Sequence, residues 1–347
     1  MRYRLLGKSG LRVSELCLGT MTFGEDWGWG SSKDESRQVF DAFFEAGGNF
    51  IDTANIYTNG TSESLLGEFL KGSRDRAVLA TKYTNAMPGT DPNAAGNQRK
   101  TMMRAVEASL KRLQTDYIDL YWVHAWDKIT PIEEVMRGLD DLVSQGKILY
   151  AGVSDMAAWS VARANTLAEL RGWTPFVGLQ VEYSLVERTV ERELLPMAEA
   201  LGLGVTAWSP LAGGTLTGKY LKDGNRGGGA EGRYDTEMMK PFQLAAGRTE
   251  ATVRAVMAVA EEVGRSAAQV ALAWLRHRPM PIIPIIGARR MDQFRDNLAS
   301  LDLKLDAEQL ARLDAASRVE LGFPHDFLAS DFVRMVVYGG MRDKIDA

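Results

Sequence analysis

The segment YIDLYWVHAWDKITPIEEVMRGLDDLVSQGKILYAGVSD, residues 117–155, carries two buried-strand signals around one amphipathic helix. Ile118–His124 and Leu149–Ser154 are mostly apolar runs of strand length. Between them Ile132, Val135, Met136, Leu139 and Leu142 recur at steps of three and four, the spacing of one helical face. Thr130 is placed to cap that helix, Pro131 suits its first turn, and Gly146 can end it in a left-handed conformation. Two strands joined by a crossover helix are parallel neighbours.

The same alternation extends outward along the 347 residues. Further strands are read at Leu16–Gly19, Asn49–Asp52, Val78–Lys82, Gly178–Glu182, Gly204–Ser209 and Ile282–Gly287, which makes eight with the first two. An α/β fold of the (β/α)8 TIM-barrel type is expected, with extra helices. An open doubly wound sheet would carry a Gly-rich fingerprint at its first turn, and Gly19-Thr20-Met21-Thr22 has none. Tyr3–Leu6 and Leu11–Val13 flank Gly7-Lys8-Ser9-Gly10, which reads as an N-terminal β-hairpin closing the barrel's bottom. The chain is read as a single barrel domain over residues 1–347, with a Gly-rich long loop at 215–247 and an irregular C-terminal tail at 318–347 carrying Phe323, Phe327, Phe332 and Tyr338. Both are expected over the mouth of the barrel, where substrate-defining loops collect.

Composition narrows the function classes. A formal net charge of -4 without a basic stripe argues against nucleic acid as partner and in favour of a small molecule. Cys17 is the only cysteine, which excludes an intramolecular disulfide and a zinc site of paired cysteines. No uncharged apolar run approaches membrane-spanning length and the N-terminus lacks a signal peptide's apolar stretch, so no membrane partner and a cytoplasmic location are expected.

Active sites of such barrels form at the C-terminal ends of the strands. Asp52, Lys82, His124, Ser154, Gln180 and Ser209 stand there, each ending or following an apolar run. Isolated charges in that setting are costly unless paired, so these residues are expected to face one another. Tyr57, just beyond Asp52 in NFIDTANIY, adds a phenol over the same mouth. An adjacent Lys82 ammonium favours the phenolate, Asp52 keeps Lys82 charged, and His124 can hydrogen-bond a substrate oxygen. Asp52, Tyr57, Lys82 and His124 are the candidate catalytic residues for carbonyl reduction; no metal is required. Trp27, Trp29 and Trp126 follow the first and fourth strands, and Trp27 and Trp126 are candidates for an apolar substrate pocket.

The blocks FIDTANIYTNGTSE, LATKY, YIDLYWVH, GVSD, GLQVEYS, AWSPLAGG, LTGKY and IIGARRMDQFRDN resemble the aldo-keto reductase superfamily, from about Tyr3 to about Ser317. GLQVEYSLVER and WSPLAGGTLTGKY resemble its aryl-alcohol-dehydrogenase-like and potassium-channel-β-subunit-like branch. The resemblance implies Tyr57 as general acid and NADPH extended across the strand ends. Thr20, Met21 and Asp52 would lie on the nicotinamide side, Ser154 and Gln180 on the carboxamide, and Trp208 on the ring. Ser209, Leu211, Gly213 and Lys219 would hold the pyrophosphate, with Arg233 as a clamp. Gly287, Arg289, Gln293 and Asn297, at a strand end and helix start, would hold the adenosine 2′-phosphate and favour NADPH over NADH. Asp155 stands where many members have Asn or Arg. Arg290 beside Arg289 also departs from members with Ser or Lys in this loop.

Other readings remain open. Gly227–Gly232 matches G-x-G-x-x-G, but it follows no strand and is set aside. Potassium-channel β subunits offer a redox-sensing alternative, although they carry Asn at the position of His124. A Schiff-base lyase using Lys82 needs an uncharged amine, which Asp52 opposes. A homo-oligomer also stays open.

Overall fold

The computed structural model describes residues 1–221 and 246–345. Eight parallel strands close into a barrel: β3 (Cys17–Gly19), β4 (Phe50–Asp52), β5 (Val78–Tyr83), β6 (Ile118–Val123), β7 (Ile148–Ser154), β8 (Phe176–Glu182), β9 (Gly204–Trp208) and β10 (Ile282–Ile286). Closure is made by β10 against β3, with Ile285 opposite Cys17 and Ile286 opposite Leu18. All eight expected strands are present, with ends displaced by one or two residues.

An antiparallel hairpin, β1 (Tyr3–Leu5) and β2 (Arg12–Ser14), precedes the barrel. Its Leu6 and Val13 pack with Cys17, Phe50, Val78, Ala80, Leu120, Trp122 and Ile283 in the barrel interior, so the hairpin plugs the end opposite the active mouth. Trp122 is fully buried and fills the space that Gly152 and Gly178 leave on the next two strands. A Cβ at Gly152 would overlap the Trp122 indole, which is why that strand position carries glycine.

Helices α1 (Lys33–Glu45), α2 (Thr61–Phe69), α3 (Arg99–Leu113), α4 (Ile132–Ser144), α5 (Ala158–Arg171), α6 (Leu194–Leu201), α7 (Ala246–Val263), α8 (Ala267–Arg276) and α9 (Met291–Leu298) surround the sheet, and α10 (Ala307–Ala316) follows. Helix α4 buries Ile132, Val135, Met136, Leu139 and Leu142 as its spacing required, and Gly146 follows it at φ 71°. Thr130, however, is not its cap. The N-cap is Pro131, and the Thr130 hydroxyl instead donates to Asp127 Oδ2 at 2.6 Å. Asp127 also accepts from the backbone of Ile129 and Thr130, so a local carboxylate outcompetes the helix end for that hydroxyl.

The tail is less irregular than its sequence reads. It forms α11 (His325–Ala329) and α12 (Asp331–Val337), whose side chains are not buried. Polar contacts among the described residues tie it to the body near the start of α6: Arg192 donates to the Glu320 carbonyl, and His325 pairs with Glu193 at 3.1 Å. Of the expected long loop, Thr215–Thr217 belong to a 3-10 turn and α7 begins at Ala246; residues 222–245, including Gly227–Gly232, lie outside the described residues. No helix among the described residues is long and apolar enough to cross a membrane.

Candidate active site

The barrel places Asp52 at the end of β4, Lys82 near the end of β5 and His124 directly after β6. Tyr57 begins the short 3-10 turn Tyr57–Gly60 that follows β4. Lys82 is fully buried and spends its three N–H donors on the Asp52 carboxylate, the Thr53 carbonyl at 2.8 Å and the Tyr57 hydroxyl at 3.2 Å. Asp52 takes its second hydrogen bond from Gln180 Nε2 at 3.0 Å, across the barrel. Burial alone would push the Lys82 ammonium down, but the Asp52 carboxylate and then Tyr57 outweigh it and hold its pKa above the ordinary lysine value. An amine whose charged form is favoured by Asp52 in this way is a poor Schiff-base nucleophile, which counts against the lyase alternative. Removing either partner of such a buried pair strands the other charge, at about 3–5 kcal/mol.

His124 and Tyr57 pack with their rings nearly perpendicular, centroids 5.9 Å apart and planes at 82°. Burial, and secondly the Lys82 cation, hold its pKa well below the usual imidazole value, so the ring is neutral. A neutral imidazole keeps one N–H donor and one acceptor. Its Nδ1 is buried and has no hydrogen-bond partner among the described residues. The four expected catalytic residues therefore meet at one mouth.

Sequence reasoning placed Thr20 on the nicotinamide side and missed the rest of the layer beneath them. Thr20 is buried; its hydroxyl donates to the Asp52 carbonyl at 3.0 Å, and Ser62 Oγ bonds both the Thr20 carbonyl and Thr53 Oγ1. Glu63, fully buried on α2, accepts from Thr81 Oγ1 and from Arg112 Nε, each at 2.6 Å. The one available signal was a glutamate among the apolar positions Leu65, Leu66 and Phe69.

The expected cofactor residues fall around the same rim. Ser154, at the end of β7, is the register partner of Gln180, two residues before the end of β8. Trp208 ends β9 half-exposed, and its indole N–H donates to Asp155 Oδ1 at 3.1 Å. Ser209 at φ 50° and Gly213 at φ 62° turn the chain on either side of Leu211. Lys219 lies against Gly214, at a place where a Cβ would meet its Nζ at 2.6 Å. Gly287 leaves β10; Asn297 Nδ2 donates to its carbonyl at 3.4 Å, and Ser31 Oγ anchors the Arg289 carbonyl at 3.1 Å. Helix α9 starts without a side-chain cap, next to the half-buried Arg289 and Gln293, while Arg290 pairs with Asp292 at 2.9 Å. Met21 is half-buried on the first loop, and Arg233 lies outside the described residues. An uncapped helix start, a lysine on a glycine loop, an arginine and a flat indole with its polar edge satisfied form a donor set that fits a phosphate-bearing nicotinamide dinucleotide.

Trp27 stands edge-on to Tyr57 at 6.5 Å and donates to Asn59 Oδ1 at 3.3 Å. Trp126 packs edge-on against Trp159 at 5.6 Å, a partner the sequence did not single out. The aromatic wall at the phenol is therefore Trp27, while Trp126, on the loop after β6, belongs to a second aromatic pair with Trp159 in the first turn of α5.

The aldo/keto reductase family model matches residues 15–318. Norsolorinic acid reductase of Aspergillus flavus is 39% identical over 94% of this chain and 84% of its own length. Aryl-alcohol dehydrogenase [NADP(+)] of Phanerodontia chrysosporium is 38% identical over 93% and 88%, respectively. The uncharacterized oxidoreductase YrpG of Bacillus subtilis is 41% identical over 90% of this chain and 95% of its own length.

Proposed function

From membership of the aldo/keto reductase family of NADP-dependent oxidoreductases, to which this chain belongs, we propose that it reduces aldehyde or ketone carbonyls to alcohols with NADPH, Tyr57 being the general acid. The observation that carries this reading is the Tyr57 hydroxyl 3.2 Å from a buried, charged Lys82.

A bound nicotinamide supplies the hydride. The chain's own residues supply the proton and the field around it. Tyr57 gives its phenolic proton to the carbonyl oxygen as charge develops there. Lys82 stabilises the phenolate left behind, and Asp52, fixed by Gln180, keeps Lys82 charged and in place. His124, neutral, donates one N–H to the same oxygen and orients the carbonyl. Trp208, Ser154 and Gln180 would hold the nicotinamide end, Ser209, Leu211, Gly213 and Lys219 the pyrophosphate, and Arg289 with the start of α9 the 2′-phosphate. Trp27 offers an apolar face beside the phenol, and two relatives named for norsolorinic acid and aryl alcohols favour an aromatic carbonyl.

The test is NADPH oxidation followed across aryl and alkyl aldehydes, ketones and quinones, with NADH as control. The expected result is turnover of aromatic aldehydes with NADPH preferred. Binding of NADPH without turnover of any carbonyl would overturn the enzyme reading in favour of a redox-sensing module.

A further inference from the structure

The turn that carries Tyr57 has an unusual backbone. Thr58 and Asn59 stand at φ 45° and 56° and Gly60 at φ 94°, three successive left-handed residues. Only the glycine is at ease there, and a β-branched threonine in this region is rare. Such a conformation persists where the surroundings fix it, and at Thr58 they do. Its side chain is fully buried, and its hydroxyl donates to the Phe23 carbonyl at 2.7 Å while accepting from the Ser62 backbone N–H at 3.1 Å. Asn59 is held in turn by the Trp27 indole at 3.3 Å. One hydroxyl thus fastens the strained turn both to the loop after β3, which bears Trp27, and to the first turn of α2.

We propose that Thr58 is a positioning residue: through its hydroxyl it holds the strained turn in the one shape that keeps the Tyr57 phenol at Lys82. The inference rests on the reading of Tyr57 as proton donor. Without the hydroxyl, the Phe23 carbonyl and Ser62 N–H lose their partner, the left-handed turn relaxes, and the phenol drifts from the ammonium. Displacements of about 1 Å at a reacting group cost up to about a hundredfold in rate. Lys82 keeps its bonds to Asp52 and the Thr53 carbonyl, and the rim around Trp208 lies on other strands, so dinucleotide binding is expected to persist.

The experiment compares wild type, Thr58→Val, Thr58→Ser and Tyr57→Phe in NADPH-dependent reduction of para-nitrobenzaldehyde, alongside NADPH titration and thermal melting. Thr58→Val, nearly isosteric but without the hydroxyl, is expected to bind NADPH normally and lose at least about tenfold in kcat. Thr58→Ser restores the hydroxyl and is expected to recover most of that loss. A folded Thr58→Val enzyme with wild-type kcat, or a serine variant as slow as the valine one, overturns the proposal. If valine prevents folding, Thr58→Ala takes its place under the same criteria. Full turnover by Tyr57→Phe would instead overturn the proton-donor reading, which separates the two failures.

Discussion

Tyr57 and Lys82 act as one unit, because the phenol can release a proton only as cheaply as the ammonium 3.2 Å away makes the resulting anion. Replacing Tyr57 with Phe keeps the ring beside Trp27 and His124 and removes only the proton. Carbonyl reduction is expected to fall by about a hundred- to ten-thousandfold, the usual worth of a general acid, while NADPH binding persists. Stopped-assay turnover with NADPH fluorescence titration checks both parts, and near wild-type turnover would refute the role. His124 yields a separate prediction with a definite sign. Its folded pKa lies well below the usual value through burial and then Lys82, whereas the unfolded chain protonates at about pH 6.5. Below that pH the unfolded state binds a proton that the folded state refuses, so stability falls as pH drops from about 6.5 toward the depressed folded value. His124→Gln should flatten that decline in urea midpoints measured between about pH 7 and 5. Asp52, Lys82 and His124 were legible because each ends or follows an apolar run at a strand end, and Tyr57 because it stands just beyond Asp52. That Asp52 and Gln180 share the mouth followed from the strand ends as well, but the bond between them did not, because nothing in the order of the chain says which of the facing groups pair.

At the scale of elements, the strands were legible because both of their faces are buried, which makes them continuous apolar runs bounded by polar turns. Fine placement was lost where side chains choose among local partners. The Thr130 hydroxyl had a helix end and the Asp127 carboxylate within reach, and nothing in their order along the chain says which wins. The hydroxyls of Thr20, Thr53 and Ser62 were equally silent, since their clustering depends on how α2 sits against the loop after β3. Strand β7 offers a test of interior packing that only the closed barrel reveals. Trp122 occupies the space over Gly152, so Gly152→Ala overpacks the interior at about 1–3 kcal/mol. Chemical denaturation should show that loss as a lower midpoint with an unchanged slope. Because Ser154 lies two residues further along β7, on the same face of the strand, the displacement should also weaken NADPH binding, a coupling that a surface substitution such as Glu169→Ala would not produce.

For the whole molecule, the question is how far the barrel's stability depends on its last segment. Arg188 reaches across to Asp314 and Ser317, and Val319 is nearly buried, so the body includes the chain up to about that point. Beyond it, Phe323 is 84% exposed and Phe332 72%, and among the described residues α11 reaches the barrel body through His325 and Glu193, both partly open to water. Exposed ion pairs contribute about 0–1 kcal/mol, and exposed apolar side chains contribute no burial. A chain ending at Glu320 should therefore melt within a few degrees of the full-length protein and bind NADPH with the same affinity, since every described residue assigned to the dinucleotide precedes that point. Differential scanning calorimetry and NADPH titration of the two chains test this directly. A large fall in melting temperature would mean that α11 and α12 bury their apolar faces in solution against a surface the barrel needs. Loss of NADPH binding alone would place the tail at the mouth, where its sequence had first put it.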